Sequence, residues 1–308
     1  MEPQIDSSQT LSAQKNKPFR WRVWWQLLRP HTLTASIIPV LIGTSLTLDI
    51  GAINVPLFLA MLVASILIQT ATNMFNEYYD FKRGLDTKES VGIGGAIVRE
   101  GIPPKVVFNL AVICFLLAVV LGIYICMNSS WWVAVIGSIS MAVGYFYTGG
   151  PYPIAYTPYG ELVSGLFMGP NIILISLYIQ TGTLTPYSLL ISVPITILVA
   201  AIMLANNIRD LEGDKTAGRR TLAIILGREK AIYLLTAMFV LTYIWTLILM
   251  ISTSSPWLAL VFLTVPTAVK AIRGFWANTK PSEMMPAMRS TAQLHMRYGI
   301  LLSIALFL

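Results

Sequence analysis

Apolar runs close to the length of a bilayer crossing follow one another from end to end of this chain. A spanning helix needs about 20 mostly apolar residues. In lipid its backbone must satisfy its own hydrogen bonds, which leaves helices or closed barrels as the available structures. Hydropathy places such runs at residues 30–48, 56–80, 106–127, 131–147, 162–179, 189–205, 231–251, 256–269 and 290–308. Only 11% of the residues are charged, where a soluble domain carries about a quarter. The fold class expected is all-α, a polytopic membrane helix bundle of about nine transmembrane helices. Residues 20–308 form one membrane domain, and residues 1–19 form a disordered, basic N-terminal tail with no cleavable signal evident. The segment RWRVWWQLLRP that follows has the Trp and Arg content of an interfacial helix.

Charge placement sets the orientation. The 21 Lys and Arg residues fall in four groups, within residues 15–29, 82–105, 209–230 and 270–297. Nine spans put every group on one side together with the N-terminus. The positive-inside rule makes that side cytoplasmic and places the protein in a cell membrane of bacterial type. Asp49 is then the only acid on the far side. The inner loop TGGPYPIAYTPYG has no basic residue, and the rule does not explain it. Basic residues dispersed between spans are a poor match for nucleic acid, so none is expected as a partner. The two cysteines, Cys114 and Cys126, are too few for a disulfide framework or zinc site and read as packing residues.

Seven of the 14 acidic residues, Glu77, Asp80, Asp86, Glu89, Asp210, Glu212 and Asp214, lie in or just after two strings that end apolar runs. The first is NMFNEYYDFKRGLD, with Asn73, Asn76, Glu77, Asp80 and Asp86; Gln69 and Thr72 precede it. The second is NNIRDLEGDKTAGRRTLA, with Asn206, Asp210, Glu212 and Asp214. On a helix Asn73, Asn76 and Asp80 share a face, as do Asn206, Asp210 and Asp214 if the helix continues that far. Acids at a membrane boundary mark functional sites more often than structural ones. Glu89 and Glu212 have a competing reading as solvated loop acids. Amide and carboxylate oxygens suit a hard cation. Mg²⁺ in particular prefers a few carboxylates together with substrate phosphates. Two such half-sites predict Mg²⁺ bridging a diphosphate, with Asn76, Asp80, Asp86, Asn206, Asp210 and Asp214 as ligands and Asp80, Asp210 and Asp214 as the catalytic acids. Asn73, Lys82, Arg83, Arg209 and Lys215 stand beside them as diphosphate-binding groups. No GxxxxGK[ST] string is present, so a nucleotide P-loop is not expected. The diphosphate then belongs to a lipid whose tail lies among the helices.

The motif pair Asn76-x3-Asp80 with Asp86, and Asn206-x3-Asp210-x3-Asp214, resembles the two aspartate-rich motifs of the UbiA superfamily of intramembrane prenyltransferases. The likeness covers nearly the whole chain. RPHTLTASIIPVLIG at residues 29–43, GIGGAIVREG at 92–101, YTGGPYP at 147–153 and TAQLHMRYG at 291–299 are similar to the MenA branch, the 1,4-dihydroxy-2-naphthoate polyprenyltransferases of menaquinone synthesis. The first motif departs from the common NDxxDxxxD form. Glu77 follows Asn76, Gly84 takes the third acidic slot, and Asp86 comes two residues later. The resemblance implies transfer of a polyprenyl group from an allylic diphosphate to dihydroxynaphthoate, with loss of CO₂ and diphosphate. It also implies that Tyr147 and Thr148 contact the diphosphate. Tyr145, Phe146 and Tyr147 are candidates for cation–π stabilisation of the allylic cation or for an interfacial aromatic cluster. Arg29 and Tyr145 are the acceptor-binding candidates, Arg29 having a competing reading as a membrane anchor.

His31 and His295 read as packing residues rather than general bases, and Gly92–Gly94–Gly95 as a lid or a plain connector. Two alternatives remain open. One is the same reaction on hydroxybenzoate or homogentisate. The other is a cation-coupled transporter, which also uses intramembrane acids and kinked helices but places them near the midplane.

Overall fold

The computed structural model describes residues 21–86 and 95–308. The expected tail and most of the Gly92–Gly95 segment lie outside the described residues. Among those described, the structure is all helical, with no strand. The helices, in chain order, are α1 (Trp21–Leu28), α2 (Pro30–Ser45), α3 (Val55–Lys82), α4 (Pro104–Asn128), α5 (Trp132–Thr148), α6 (Gly160–Met168) and α7 (Pro170–Thr181). They continue with α8 (Pro186–Arg209), α9 (Leu211–Thr216), α10 (Leu222–Leu226), α11 (Arg228–Thr253), α12 (Val265–Ala277) and α13 (Pro281–Phe307).

The starts of these helices are written locally. Proline stands at the first helical position of α2, α4, α7, α8 and α13, where its missing N–H costs nothing. Asn54 caps α3 by accepting from the Leu57 amide at 3.2 Å. Thr185 and Ser188 form a reciprocal capping box on α8, which satisfies two otherwise orphaned amides.

Among the described residues, seven helical segments are long and apolar enough to cross a membrane. The expectation of nine crossings is thus met by length and apolarity at seven places. The other two helices differ in kind. α5 is apolar but has only 17 residues, and α13 begins with the polar stretch PSEMMPAMRST. The kink expected at Pro170 and Asn171 is a full break. α6 stops at Met168, and Gly169 lies against Thr196 of α8, where an added Cβ would sit 2.7 Å from Thr196 Oγ1. The eighth span, expected over 256–269, is a 3₁₀ segment at Pro256–Thr264 that passes into α12. The last helix begins nine residues earlier than its expected start at 290.

The main core is shared by α2, α7, α8, α11 and α13 around Ile42, Ile173, Ile195, Leu204 and Tyr298. A second cluster, with Phe75 and Val107, joins α1, α3 and α4. The outward side is apolar too. Ile113, Leu116, Leu117, Val120 and Ile123 of α4 are exposed at helical spacing, as on a lipid-facing surface. This is a polytopic membrane protein, and its two motifs hang from α3 and α8, which flank one central cavity.

Candidate active site

The cavity has a volume of about 480 Å³. It follows α3 from Met61 to Asp80, about 29 Å at the helical rise. One end is polar, lined by Arg29, Asn76, Asp80, Asp86, Asn206, Asp210, Asp214 and Arg219. The other is apolar, with Met61, Val119, Ile123, Val133, Ile172 and Ile175. Such a division suits a ligand with one charged and one greasy end.

The first half-site sits on unbroken helix. Asn76 donates to Asp80 Oδ2 at 3.1 Å. α3 then ends at Lys82 with Gly84 in the left-handed region at φ 71°. Leu85 N–H returns to Asp80 O (2.9 Å) and Gly84 N–H to Phe81 O (3.0 Å), a Schellman turn that only glycine adopts without strain. The glycine in the third acidic slot is therefore a backbone requirement, and the turn brings Asp86 back onto the cavity wall beside Asp80.

Glu77 has another task. It is 1% exposed and ion-pairs with Arg29 Nη2 at 3.2 Å. Its Oε1 accepts from the amides of Gly95 (2.7 Å) and Ile97 (3.3 Å). It ties the turn following residue 94 to the site. Arg29 lies in the break between α1 and α2 at φ 50°, ψ 63°, a left-handed conformation that costs a non-glycine residue about 1–2 kcal/mol. Asn73 holds that break by donating to Leu28 O at 3.1 Å and to Thr32 Oγ1 at 2.8 Å. Both amide hydrogens of Asn73 are thus committed to the break, although the residue also lines the cavity. The Arg29 guanidinium reaches the cavity and donates to Asn76 Oδ1 at 2.7 Å.

The second half-site sits on broken helix. α8 ends at Arg209, Asp210 occupies the junction, and α9 starts at Leu211. The Asp214 N–H still donates to Asp210 O at 2.8 Å, so the two acids keep near-helical spacing and both line the cavity with Asn206. Arg209 holds Asp210 in a two-point pair at 2.7 and 2.5 Å. Asn207, which the spacing did not single out, donates to Glu161 Oε1 at 2.8 Å.

Arg219 joins the halves. It donates to Asp80 Oδ1 and to Asp214 Oδ1, each at 3.0 Å. Its guanidinium lies 4.8 Å from the ring centre of Tyr156. Sequence reasoning placed this arginine in a basic group and gave it no role.

Other expectations need correction. Lys82 and Lys215 are exposed and are absent from the cavity wall, because each leaves its helix on the outer side. Arg83 turns away from the cavity as well. It donates to Thr148 O at 2.5 Å and Gly150 O at 2.8 Å and stacks on Tyr79 and Tyr156. The inner loop without a basic residue thus receives its positive charge in space, from Arg83 and Arg219. Tyr145 hydrogen-bonds Tyr79 Oη at 2.5 Å and packs edge-on to Phe75. Neither Tyr145 nor Phe146 is on the wall, whereas Tyr147 and Thr148 are.

The polar end is suited to a hard cation. Among the described residues no three His, Cys, Asp or Glu side chains converge into a metal cage. The donors that are present are oxygens contributed by separate helices. Asp214 Oδ2 and Thr148 Oγ1 are buried without a hydrogen-bond partner, an arrangement that costs free energy until a ligand supplies one. Mg²⁺ held by few carboxylates and completed by phosphate oxygens matches that donor set. Burial, together with Asp210 and Asp80, pushes the Asp214 carboxyl up to about 6, against the opposing pull of Arg219. Asp86 is also pushed up to about 6, by burial and then by Asp80 and Glu77. Burial works against the Arg219 charge, but Asp80 and Asp214 outweigh it and raise its pKa.

The chain is 57% identical over 288 residues to a Bacillus subtilis protein named 1,4-dihydroxy-2-naphthoate octaprenyltransferase, covering 93% of each chain. Its fold is similar to that of a UbiA homolog from Aeropyrum pernix K1, with a TM-score of 0.69 and 12% identity over 89% of this chain and 96% of the other. It is also similar to a UbiA homolog from Archaeoglobus fulgidus bound to GPP and Mg²⁺, with a TM-score of 0.62 and 18% identity over 92% and 99% of the two chains. The model of the UbiA prenyltransferase family matches residues 36–292, and with both aspartate-rich half-sites opening on one cavity, the chain belongs to the UbiA prenyltransferase family.

Proposed function

We propose that this protein transfers a polyprenyl group from an allylic diphosphate to 1,4-dihydroxy-2-naphthoate, with loss of diphosphate and CO₂, giving a demethylmenaquinol. The observation that carries this reading is the meeting of Asp80 and Asp214 on one guanidinium at the polar end of a cavity whose remaining length is apolar. The naphthoate acceptor is favoured over other aromatic acids by the 57% identity to the Bacillus subtilis protein.

Asn76, Asp80, Asp86, Asn206, Asp210 and Asp214 would hold Mg²⁺ through their oxygens. Bound there, Mg²⁺ supplies positive charge to a leaving diphosphate. The chain's own contribution begins with the Thr148 hydroxyl, buried and unpartnered, which donates to a phosphate oxygen together with Tyr147. Such preorganised donors favour the developing negative charge. The allylic C–O bond breaks with its electron pair going to the diphosphate. The apolar wall keeps water from the resulting cation, and the Tyr147 ring offers its electron-rich face. Arg29 orients the acceptor by its carboxylate, steadied by Asn76 and Glu77. Ring π electrons then form the new C–C bond to the cation, and the bond between ring and carboxylate breaks with its electron pair returning to the ring as CO₂ departs. The N-terminus and the polar end face the cytoplasm, the side on which the basic groups lie.

The test is incubation of purified protein with one polyprenyl diphosphate and a panel of aromatic acids, reading product mass. The dihydroxynaphthoate product is expected, lighter by a carboxyl group than simple addition. A product from hydroxybenzoate alone would reject the acceptor. Excess chelator is expected to stop turnover and added Mg²⁺ to restore it; an unchanged rate in chelator would reject the metal.

A further inference from the structure

Arg219 occupies the position at which the two motifs face each other, and it lies beyond the Asn206-x3-Asp210-x3-Asp214 spacing from which the ligands were read. Among the described residues it is the side chain that donates to acids of both half-sites, Asp80 and Asp214, at 3.0 Å each. Its backbone is fixed. Gly218 turns in the left-handed region at φ 78°, Arg219 N–H donates to Asp214 O at 3.0 Å, and Arg220 N–H to Tyr156 O at 2.9 Å. The guanidinium rests on the flat face of Tyr156, and its Nε is buried without a partner. Asp214 Oδ2, on the carboxylate it holds, is also unpartnered. Two unsatisfied atoms of opposite character in one ion-pair cluster mean that this arrangement leaves part of its hydrogen-bonding capacity unused.

We infer that Arg219 is an exchangeable counter-ion, which bridges Asp80 and Asp214 in the substrate-free protein and moves its guanidinium onto the diphosphate when a divalent cation takes those carboxylates. The exchange rests on the metal–diphosphate reading of the cavity and adds to it a residue and an order of events. While the guanidinium lies on the acids, it competes with a divalent cation for the same oxygens. Once displaced, it keeps its place on Tyr156, and a phosphate oxygen supplies the acceptor that Nε lacks. Arginine suits both states, because its fork spans two carboxylates or two phosphate oxygens equally well.

The exchange makes two effects run in opposite directions, which a structural role does not. Mn²⁺ is titrated into substrate-free wild type, Arg219→Ala and Arg219→Lys by electron paramagnetic resonance, and inorganic pyrophosphate is then titrated at saturating Mn²⁺. Arg219→Ala is expected to bind Mn²⁺ alone at least about fivefold more tightly, since a neighbouring positive charge is gone. It is expected to bind pyrophosphate about tenfold more weakly, from loss of charge-assisted hydrogen bonds. Arg219→Lys keeps the charge without the fork and falls between wild type and Arg219→Ala in both titrations. If either variant weakens Mn²⁺ and pyrophosphate together, Arg219 is a structural tie and the exchange is wrong. Unchanged Mn²⁺ affinity in Arg219→Ala overturns it equally. Should Arg219→Ala lose its folded thermal transition, the lysine variant carries the same test. A wild type that binds no Mn²⁺ even with pyrophosphate rejects the metal–diphosphate reading itself, an outcome distinct from failure of the exchange.

Discussion

The two half-sites share the Asn-x3-Asp spacing, yet one is built on continuous helix and the other on a helix break. In the first, α3 carries Asn76, Glu77 and Asp80 without interruption and ends in a Schellman turn that adds Asp86. In the second, α8 stops at Arg209 and the acids follow on the junction and on α9. The acid next to the motif also differs. Glu77 is buried and holds Arg29 and the Gly95–Ile97 backbone, whereas Glu212 is exposed. The rigid half therefore organises the neighbouring loop and arginine, while the broken half supplies Arg219, which reaches Asp80 of its partner. Similar spacing in sequence yields similar ligands but different mechanical roles.

Asp80→Asn and Asp210→Asn should have the largest and most similar effects, each lowering prenyl transfer by about 10³-fold or more with the fold retained. Turnover measured on purified protein with Mg²⁺ checks this, and near-normal activity in either variant would remove that half from the chemistry.

The next contrast separates the halves. Glu77→Ala leaves the Arg29 charge and two amides without their carboxylate, a loss of about 3–5 kcal/mol when a buried pair is broken. Glu212→Ala should change stability by no more than about 0.5 kcal/mol. Thermal unfolding in detergent distinguishes them, and equal shifts would mean that the proposed difference in mechanical role is mistaken.

Acidification offers a milder test. Asp86 and Asp214 have carboxyls raised to about 6 in the folded protein, above the unfolded value of about 3.9. Their protonated forms favour the fold, so in the metal-free protein their contribution to stability grows as pH falls from 7 through 6. Mg²⁺ requires the ionised forms, so its stabilising shift in Tm should shrink over the same interval. The loss in Mg²⁺ affinity is expected to be about tenfold between pH 7 and 5 for each group titrating at 6. A metal-induced shift independent of pH would exclude both acids as ligands.

Gly84→Ala should have a smaller effect than Glu77→Ala, about 1 kcal/mol from placing a Cβ at positive φ, with a severalfold loss of activity as Asp86 moves. No counterpart glycine turn separates Asp210 from Asp214, so Gly213→Ala should be close to neutral. An addition at Gly213 meets nothing within 4 Å.

The membrane-bundle class, the positions of the motifs and the oxygen-rich chemistry were legible in residue order. Hydropathy and helical spacing are local properties, and lipid leaves the backbone few options. Counting crossings was less secure where apolarity is diluted, as in α13, or the run is short, as in α5. Long, flexible cations were the least legible. Lys82, Arg83 and Lys215 adjoin acids in the sequence but point elsewhere, while Arg219 reaches Asp80 across 139 positions.

Residue order alone determined the membrane-bundle class and that two amide–carboxylate sets end separate helices. Tertiary structure decided which charge meets which. A guanidinium extends several ångströms beyond its backbone and takes the nearest buried acceptor, and that neighbour is set by the packing of α3, α8 and the loop before α6. The same reach made Glu77 a tether, gave a loop without basic residues its two arginines, and set Arg219 between the motifs.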